Sequence, residues 1–436
     1  MQNKRMERTE TIAAIATAPG RGGIAVIRVS GPDAFSIARA LTGREVVPGS
    51  FIHAALRDGA GRLLDHALVL AFAHPHSYTG EDVVEFQSHG GTVTPRRILE
   101  ACFAAGARLA DRGEFTLRAF LNGKLDLSEA ESVIELVDAK TDRAADDALA
   151  RQNGSKAREY NALYERALEL STTLEHSLDI SEDELPAGFL EGLREKSAAL
   201  EKDISRAARR AHKGRLLREG ALVVLAGPPN AGKSSLMNTL LGENRVLVSP
   251  MPGTTRDSIE EMLDLDGWPV RLVDTAGLRT TDDAIEEAGV NRAHDLIARA
   301  DIVLYLLGEE QKSSAVAVDV KTICVQSKCD VIHSMDSNVL RVSSVTGEGL
   351  DELKAAIVAK LETLAEVCAD SIASASEREG DLLQTAAAHL ATLDTNEPIL
   401  FANALRSCAQ TLGALTGREY ASDMLTSLFS RFCVGK

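Results

Sequence analysis

Residues 221–241, ALVVLAGPPNAGKSSLMNTLL, constrain this chain more than any other stretch. An apolar run at 222–225 predicts a buried strand, residues 227–234 fit G-x-x-x-x-G-K-[ST], and 235–241 have helical composition. Strand, glycine-rich turn and helix in that order make a phosphate-binding loop. Gly227 and Gly232 let the backbone wrap a polyphosphate whose oxygens accept from N–H groups at the positive end of the helix. Asn230, Ala231, Gly232, Lys233, Ser234 and Ser235 are then nucleotide contacts, with Lys233 on the outer phosphates and Ser234 on magnesium. The plainer alternative is a strand-to-helix turn with an idle lysine. The motif says nucleotide without saying which.

The 436 residues suffice for about three domains, each with its own core. A formal net charge of −16 argues against a general nucleic-acid coat, because phosphate neutralisation supplies most non-specific binding. A polynucleotide partner needs local basic surface, which 206–218 or 96–118 could supply; a solvated helix face is the other reading of such runs. The six cysteines are scattered without zinc-like spacing, and no apolar run approaches the roughly 18 residues of a membrane span. A cytoplasmic protein with reduced thiols and no stable membrane insertion is expected.

Residues 11–121 read as mixed α/β, with strands at 24–30, 66–72 and 82–88 and helices at 32–41 and 95–105. At Ser128 the character changes: Ser128 and Glu131 suggest a capping box, followed by helical spacing at Ala130, Val133, Ile134 and Val137. Leu163, Ala167, Leu170 and Leu174 continue an apolar stripe, and 193–218 is again helical. From 218 to about 367 strand and helix alternate as in a doubly wound sheet, with strands at 222–226, 258–265, 270–273, 302–307, 322–326 and 340–342. Asp266-Gly267 predicts a hairpin turn, and 382–393 and 399–432 return to helix. The expected domains are 1–124 (α/β), 125–217 with 373–436 (helical), and an α/β domain at 218–372 inserted in the helical one.

Beyond the phosphate loop, 253–257 (GTTRD) and 274–277 (DTAG) match the two switch elements of the small GTPase fold. Thr255 can complete magnesium coordination only while a γ-phosphate is present, Asp274 holds a magnesium water, and Thr275, Ala276 and Gly277 pass the same phosphate. The guanine motif N-K-x-D appears as Ser327-Lys328-Cys329-Asp330: Asp330 can accept from guanine N1 and N2, and Lys328 can lie over the base. Ser327 in place of Asn removes an amide that would brace this loop against the phosphate loop, which predicts weaker binding with guanine preference kept. Ser343 and Ser344 stand where a second base-contacting loop is expected. Leu278 occupies the position of a water-orienting glutamine, leaving Asp282, Asp283, Glu286 and Glu287 as acidic candidates.

With these switches, with GEFTLRAFLNGKLDLSEAE upstream and with the terminal CVGK, the chain resembles the tRNA modification GTPase MnmE (TrmE) family along essentially its whole length. The resemblance implies a Ras-like P-loop GTPase domain, binding GTP and GDP, and a homodimer. It also implies a partnership with an FAD-dependent MnmG-type subunit in building the 5-carboxymethylaminomethyl, or aminomethyl, group on the tRNA wobble uridine. It implies a site for 5-formyltetrahydrofolate or a related tetrahydrofolate at Arg28, Glu85, Lys124 and Lys436, where the cations suit the glutamate carboxylates and Glu85 the pterin donors. Potassium stimulation through Asn230, Ser249, Met251 and Thr254, with Ser249 and Thr254 also at the nucleotide, follows from the same resemblance. Glu286 matches the family's water-orienting glutamate and Cys433 its C-terminal cysteine needed for modification; a nucleophilic and a structural role for that thiol both stay open. The alternative function is a switch-type ribosome-assembly GTPase that binds rRNA.

Overall fold

The structure is a computed structural model and describes residues 10–178, 186–244, 260–275, 294–307, 319, 321–332, 339–365, 374–391, 397–418, 425 and 428–435. Two compact units divide the chain: Met1–Ile134 with Thr416–Lys436, and Glu135–Leu415.

The first unit is built on a six-stranded sheet of order β3-β4-β5-β2-β1-β6. Its strands are β1 (Ile12–Ile15), β2 (Ile24–Ser30), β3 (Phe51–Arg57), β4 (Leu63–Phe72), β5 (Val83–His89) and β6 (Arg108–Leu109). All pairings are antiparallel except β1 with β6. Alternation along β2, β4 and β5 sends Ile27, Val29, Val69, Val84 and Phe86 to one face. There they pack on Ile37 and Leu41 of α1 (Ala34–Thr42) and on Ile98 and Cys102 of α2 (Val93–Ala104). The strands expected at 24–30, 66–72 and 82–88 and both helices are present. β3 and β1 carry weaker signals, since alanine supplies two residues in each.

The capping box lies two residues before the expected one. After α3 (Glu114–Leu121), in α4 (Leu127–Asp138), the Asp126 carboxylate accepts from Glu129 N at 2.8 Å, and Glu129 Oε2 accepts from Asp126 N at 2.8 Å. Ser128 is instead buried in the first turn, because Leu127 and Ala130 must face Phe429 and Phe432. The helix expected over 399–432 is interrupted rather than continuous: α11 spans Pro398–Leu415, Gly417 (φ 72) redirects the chain, and the described residues 425, 428 and 429 are helical again. A Cβ on Gly417 would meet the Phe120 ring at 3.0 Å. The redirected chain buries Leu425, Phe429 and Phe432 in the first unit.

The second unit combines helices with a second six-stranded sheet, order β12-β11-β10-β7-β9-β8. Its strands are β7 (Ala221–Ala226), β8 (Glu260–Leu265), β9 (Trp268–Asp274), β10 (Ile302–Leu306), β11 (Thr322–Gln326) and β12 (Leu340–Arg341). Every pairing is parallel except β8 with β9, which close a two-residue hairpin at Asp266 (φ 52) and Gly267 (φ 82). Both central residues of that turn are left-handed, as the Asp-Gly pair predicts. Helices α8 (Lys233–Asn244) and α9 (Leu350–Leu364) cover one face, where Leu236, Leu240, Leu353 and Ile357 meet the strands.

The helical part of this unit has α5 (Asp142–Gln152), α6 (Ser155–Leu178), α7 (Phe189–Glu219) and α10 (Glu377–Ala391) beside α11. One cluster takes Leu163, Ala167, Leu170 and Leu174, the expected stripe, together with Leu200 and Ile204 from α7, Leu383 and Ala386 from α10 and Phe401, Leu405 and Leu412 from α11. The helices preceding the sheet in sequence therefore share one core with those that follow it. Among the described residues, no helix is long and apolar enough to cross a membrane.

Candidate functional site

β7 is buried along its whole length and lies between β10 and β9, so the loop after it opens where the strand order reverses. At Gly227 (φ 136) a Cβ would stand 2.3 Å from the Leu306 carbonyl oxygen, so only glycine lets the loop leave this strand beside β10. Asn230 takes a left-handed conformation (φ 62) at the exposed crest. Lys233 is nearly buried, and its Nζ donates to Gly227 O at 2.9 Å and Pro228 O at 2.8 Å. Its ammonium is thus held inside the loop it is expected to serve.

At the exit of the loop Ser234 Oγ donates to Asp274 Oδ2 at 2.6 Å. Two hard oxygen ligands from the phosphate loop and the end of β9 therefore lie side by side, a donor set that suits magnesium. Thr275 anchors the same corner by donating to Leu225 O at 2.8 Å. The corner gathers the groups expected around a triphosphate and its cation.

The two loops expected to contact the base follow β11 and β12 and reach the phosphate loop and α8. Lys328 is left-handed (φ 57), and its carbonyl accepts from Val331 N at 3.0 Å and Ile332 N at 2.8 Å, which turns the chain and leaves Asp330 exposed. Ser343 is fully buried; its hydroxyl accepts from the N–H groups of Val345 and Thr346, both at 3.2 Å, shaping the second loop. Ser344 O is reached by Thr239 Oγ1 of α8 at 3.4 Å. The expected loss of bracing at Ser327 is corrected: its hydroxyl donates to Ala231 O, tying the base loop to the phosphate loop. A hydroxyl suffices because Ser327 comes so close that a Cβ on Gly232 would lie 3.4 Å from its Oγ.

In the first unit Arg28 and Glu85 are register partners on β2 and β5, and they pair with each other, Nε to Oε1 at 2.8 Å. The guanidinium carbon of Arg28 lies 5.1 Å from the Tyr78 ring centre and 5.6 Å from that of Phe115. Burial pushes the Tyr78 hydroxyl above its ordinary pKa, opposed by its bond to Thr116 and by the Arg28 charge. Lys124 Nζ donates to Pro75 O at 3.2 Å, and its stem packs on Gly80, so the loop carrying Tyr78 joins it to the Arg28 pair.

The C-terminal segment arrives at the same sheet. Val434 bridges Arg112, Gly113 N donates to Cys433 O at 3.4 Å, and a Cβ on Gly435 would stand 2.4 Å from Ile15 O. Ile15 is next to Ala14, the β1 partner of Arg28. Cys433 itself is exposed.

Ser249, Met251, Thr254, Thr255, Ala276, Gly277, Leu278, Asp282, Asp283, Glu286, Glu287 and Lys436 lie outside the described residues. Sequence reasoning missed Asp301, whose carboxylate accepts from Leu222 N at 2.8 Å and from Arg215 of α7 at 2.5 Å, fastening the phosphate-loop strand to the helical part. It also missed Tyr78 and Phe115 around Arg28. A lone Asp before a strand, a loop tyrosine and a phenylalanine in the first turn of a short helix carry no local signal.

A family model described as GTP-binding protein TrmE N-terminus matches residues 11–124, and one described as MnmE helical domain matches 127–433. A tRNA modification GTPase MnmE of Bordetella petrii is 42% identical over 98% of this chain and 98% of its own length. One of Symbiobacterium thermophilum is 42% identical over 98% and 99% respectively. The G domain of a T. maritima FeoB iron transporter, 29% identical over 32% of this chain and 98% of its own length, superposes with a TM-score of only 0.25, too low to carry weight. With both units matched and the relatives aligned from end to end, the chain belongs to the MnmE family of tRNA modification GTPases.

Proposed function

We propose that this chain binds and hydrolyses GTP and that the hydrolysis serves tRNA modification, as the names of its relatives describe for them. The observation that carries the reading is the corner where Lys233, Ser234 and Asp274 meet, at the end of a buried central strand and within reach of the Ser327–Asp330 loop. Lys233 and the loop N–H groups bind the phosphates, and Asp330 selects guanine by accepting from its N1 and N2 donors. Ser234 would hold magnesium directly and Asp274 through a water; the ion supplies charge neutralisation between the outer phosphates. Glu286 is the group assigned to orient the attacking water, with Leu278 unable to do so.

The finer parts of the proposal rest on the motifs. They are stimulation by potassium at Asn230, Ser249, Met251 and Thr254, pairing of G domains in a homodimer, and an MnmG-type partner. A tetrahydrofolate held at Arg28, Glu85, Lys124 and Lys436 completes them. The division into 1–124, 125–217 with 373–436, and an inserted 218–372 belongs to the same reading. The shared core of α6, α7, α10 and α11 supports the insertion, and the aromatic surround of Arg28 supports an aromatic, carboxylate-bearing ligand.

GTP turnover by the full chain, measured in potassium and in sodium chloride with wild type and Glu286→Ala, tests the catalytic part. Turnover is expected to rise in potassium and to fall by orders of magnitude in the variant with little change in GDP affinity. Equal rates in both salts would remove the cation, and an unchanged variant would remove Glu286. Wobble-uridine analysis of tRNA from cells lacking the protein tests the rest: an intact modification would refute the assignment and favour a ribosome-assembly GTPase.

A further inference from the structure

Position 327 departs from the asparagine of N-K-x-D, and the structure shows what the serine does there. Ala231 O can only accept, so the Ser327 hydroxyl must donate its single proton to the phosphate loop. The residue is 4% exposed, and its carbonyl is itself taken by Gln326 Nε2 at 3.2 Å. Cys329, two residues on, is fixed by its N–H to Val342 O at 3.1 Å. The loop therefore has no slack with which to turn the hydroxyl elsewhere while Ala231 stays where it is. An asparagine amide carries two N–H donors and can serve a loop carbonyl and a base at once; a hydroxyl serves one acceptor.

We propose that Ser327 is a positioning residue that locks the base loop to the phosphate loop through Ala231, leaves guanine N7 without a side-chain donor from this position, and so places base selection on Asp330. The proposal rests on the guanine-nucleotide reading of the site and deepens it into a specificity pattern. The protein tolerates changes at N7 of the purine and not at the N1–N2 edge.

The test is a set of affinities for the full chain with GDP, 7-deaza-GDP and IDP, which lacks the 2-amino group. The set is measured for wild type, Ser327→Ala and Ser327→Asn alongside the melting temperature of each nucleotide-free protein. Wild type is expected to bind GDP and 7-deaza-GDP within about twofold of each other and IDP about tenfold more weakly, the size of one hydrogen bond to a charged group. Ser327→Ala is expected to weaken GDP and 7-deaza-GDP by the same factor, about fivefold, and to raise KM for GTP with little change in kcat, because its hydroxyl bonds Ala231 O and not Lys233, Ser234 or Asp274. Ser327→Asn adds a donor and is expected to create a several-fold preference for GDP over 7-deaza-GDP. A tenfold or greater loss on 7-deaza-GDP in wild type would overturn the N7 part. An unchanged GDP affinity in a normally melting Ser327→Ala would overturn the positioning role. If wild type bound GDP no better than ADP, the guanine-site reading itself would fall, and the proposal with it; that result is distinct from the other two.

Discussion

Alanine at Gly227 and alanine at Gly192 should move stability in opposite directions, and the structure sets both magnitudes. At Gly227 φ is 136, a region L-residues avoid, and the new Cβ would sit 2.3 Å from the backbone carbonyl of Leu306 on β10. An unfavourable φ costs about 1–3 kcal/mol. Forcing a methyl into packed surroundings costs about 1–3 kcal/mol more, because the obstacle is a strand backbone and cannot swing aside. A destabilisation of about 2–6 kcal/mol follows. Gly192 lies in α7 with nothing within 4 Å of a Cβ and with φ outside the positive range, so alanine there only raises helix propensity and restricts the unfolded chain. That stabilises by about 0.5–1 kcal/mol. The assay is built in: Trp268, the single tryptophan, is fully buried on β9 in the sheet that holds Gly227, so its fluorescence during urea unfolding reports the loss of that sheet. The Gly227→Ala transition should come at clearly lower urea than wild type, with GDP affinity falling as well because the loop is displaced. An unfolding free energy within about 0.5 kcal/mol of wild type would refute the claim that the β7–β10 approach requires glycine.

Other measurements probe separate parts of the molecule. Asp330→Asn exchanges an acceptor for a donor at the base edge and should lower GDP affinity by about a hundredfold while raising affinity for XDP, whose 2-oxo group accepts; calorimetry with both nucleotides reads it. Thiol labelling of the native protein should modify Cys433 well before Cys102 and Cys408, since Cys433 is exposed and burial pushes those two thiols up to about 12; mass spectrometry of timed samples decides. Burial alone would push the Glu114 carboxyl up, but Arg108, the Asp111 N–H and Arg118 together hold it below the ordinary value of 4.5. Its stabilisation is therefore present above the unfolded value and is lost as pH falls through the lower folded one. Glu114→Gln should consequently flatten the acid limb of the stability curve of the first unit, and an unchanged acid limb would count against that role.

The local parts of the site were legible because local rules govern them. Gly227, Gly232 and the Asp266-Gly267 turn announce left-handed or closely approached backbone. Alternation and apolar runs placed β2, β7, β9 and β11 to within two residues, and helical spacing placed α6 and α7. Where apolar pattern and cap signals competed, as at Ser128, the expected box with Glu131 gave way to one made by Asp126 and Glu129, with Ser128 buried in the first turn. The aromatic C-terminus reads as a continuation of α11 because its spacing is helical; residues 425, 428 and 429 are helical, but Gly417 breaks the run and Phe429 and Phe432 are buried in the first unit.

By itself the sequence determined that the chain carries a phosphate loop, a carboxylate at the last position of the Ser327–Asp330 motif and the family motifs around them. These features depend on a residue's own φ, its side-chain chemistry and its neighbours within a turn or two. Only the tertiary structure decided that Ser327 braces the phosphate loop across 96 positions of sequence, that Arg28 faces Glu85, and that Gly435 comes to rest on Ile15 beside them. Those contacts are set by strand register and by which apolar surfaces close on each other. No short window of sequence contains that information, because both partners must be placed before either contact exists.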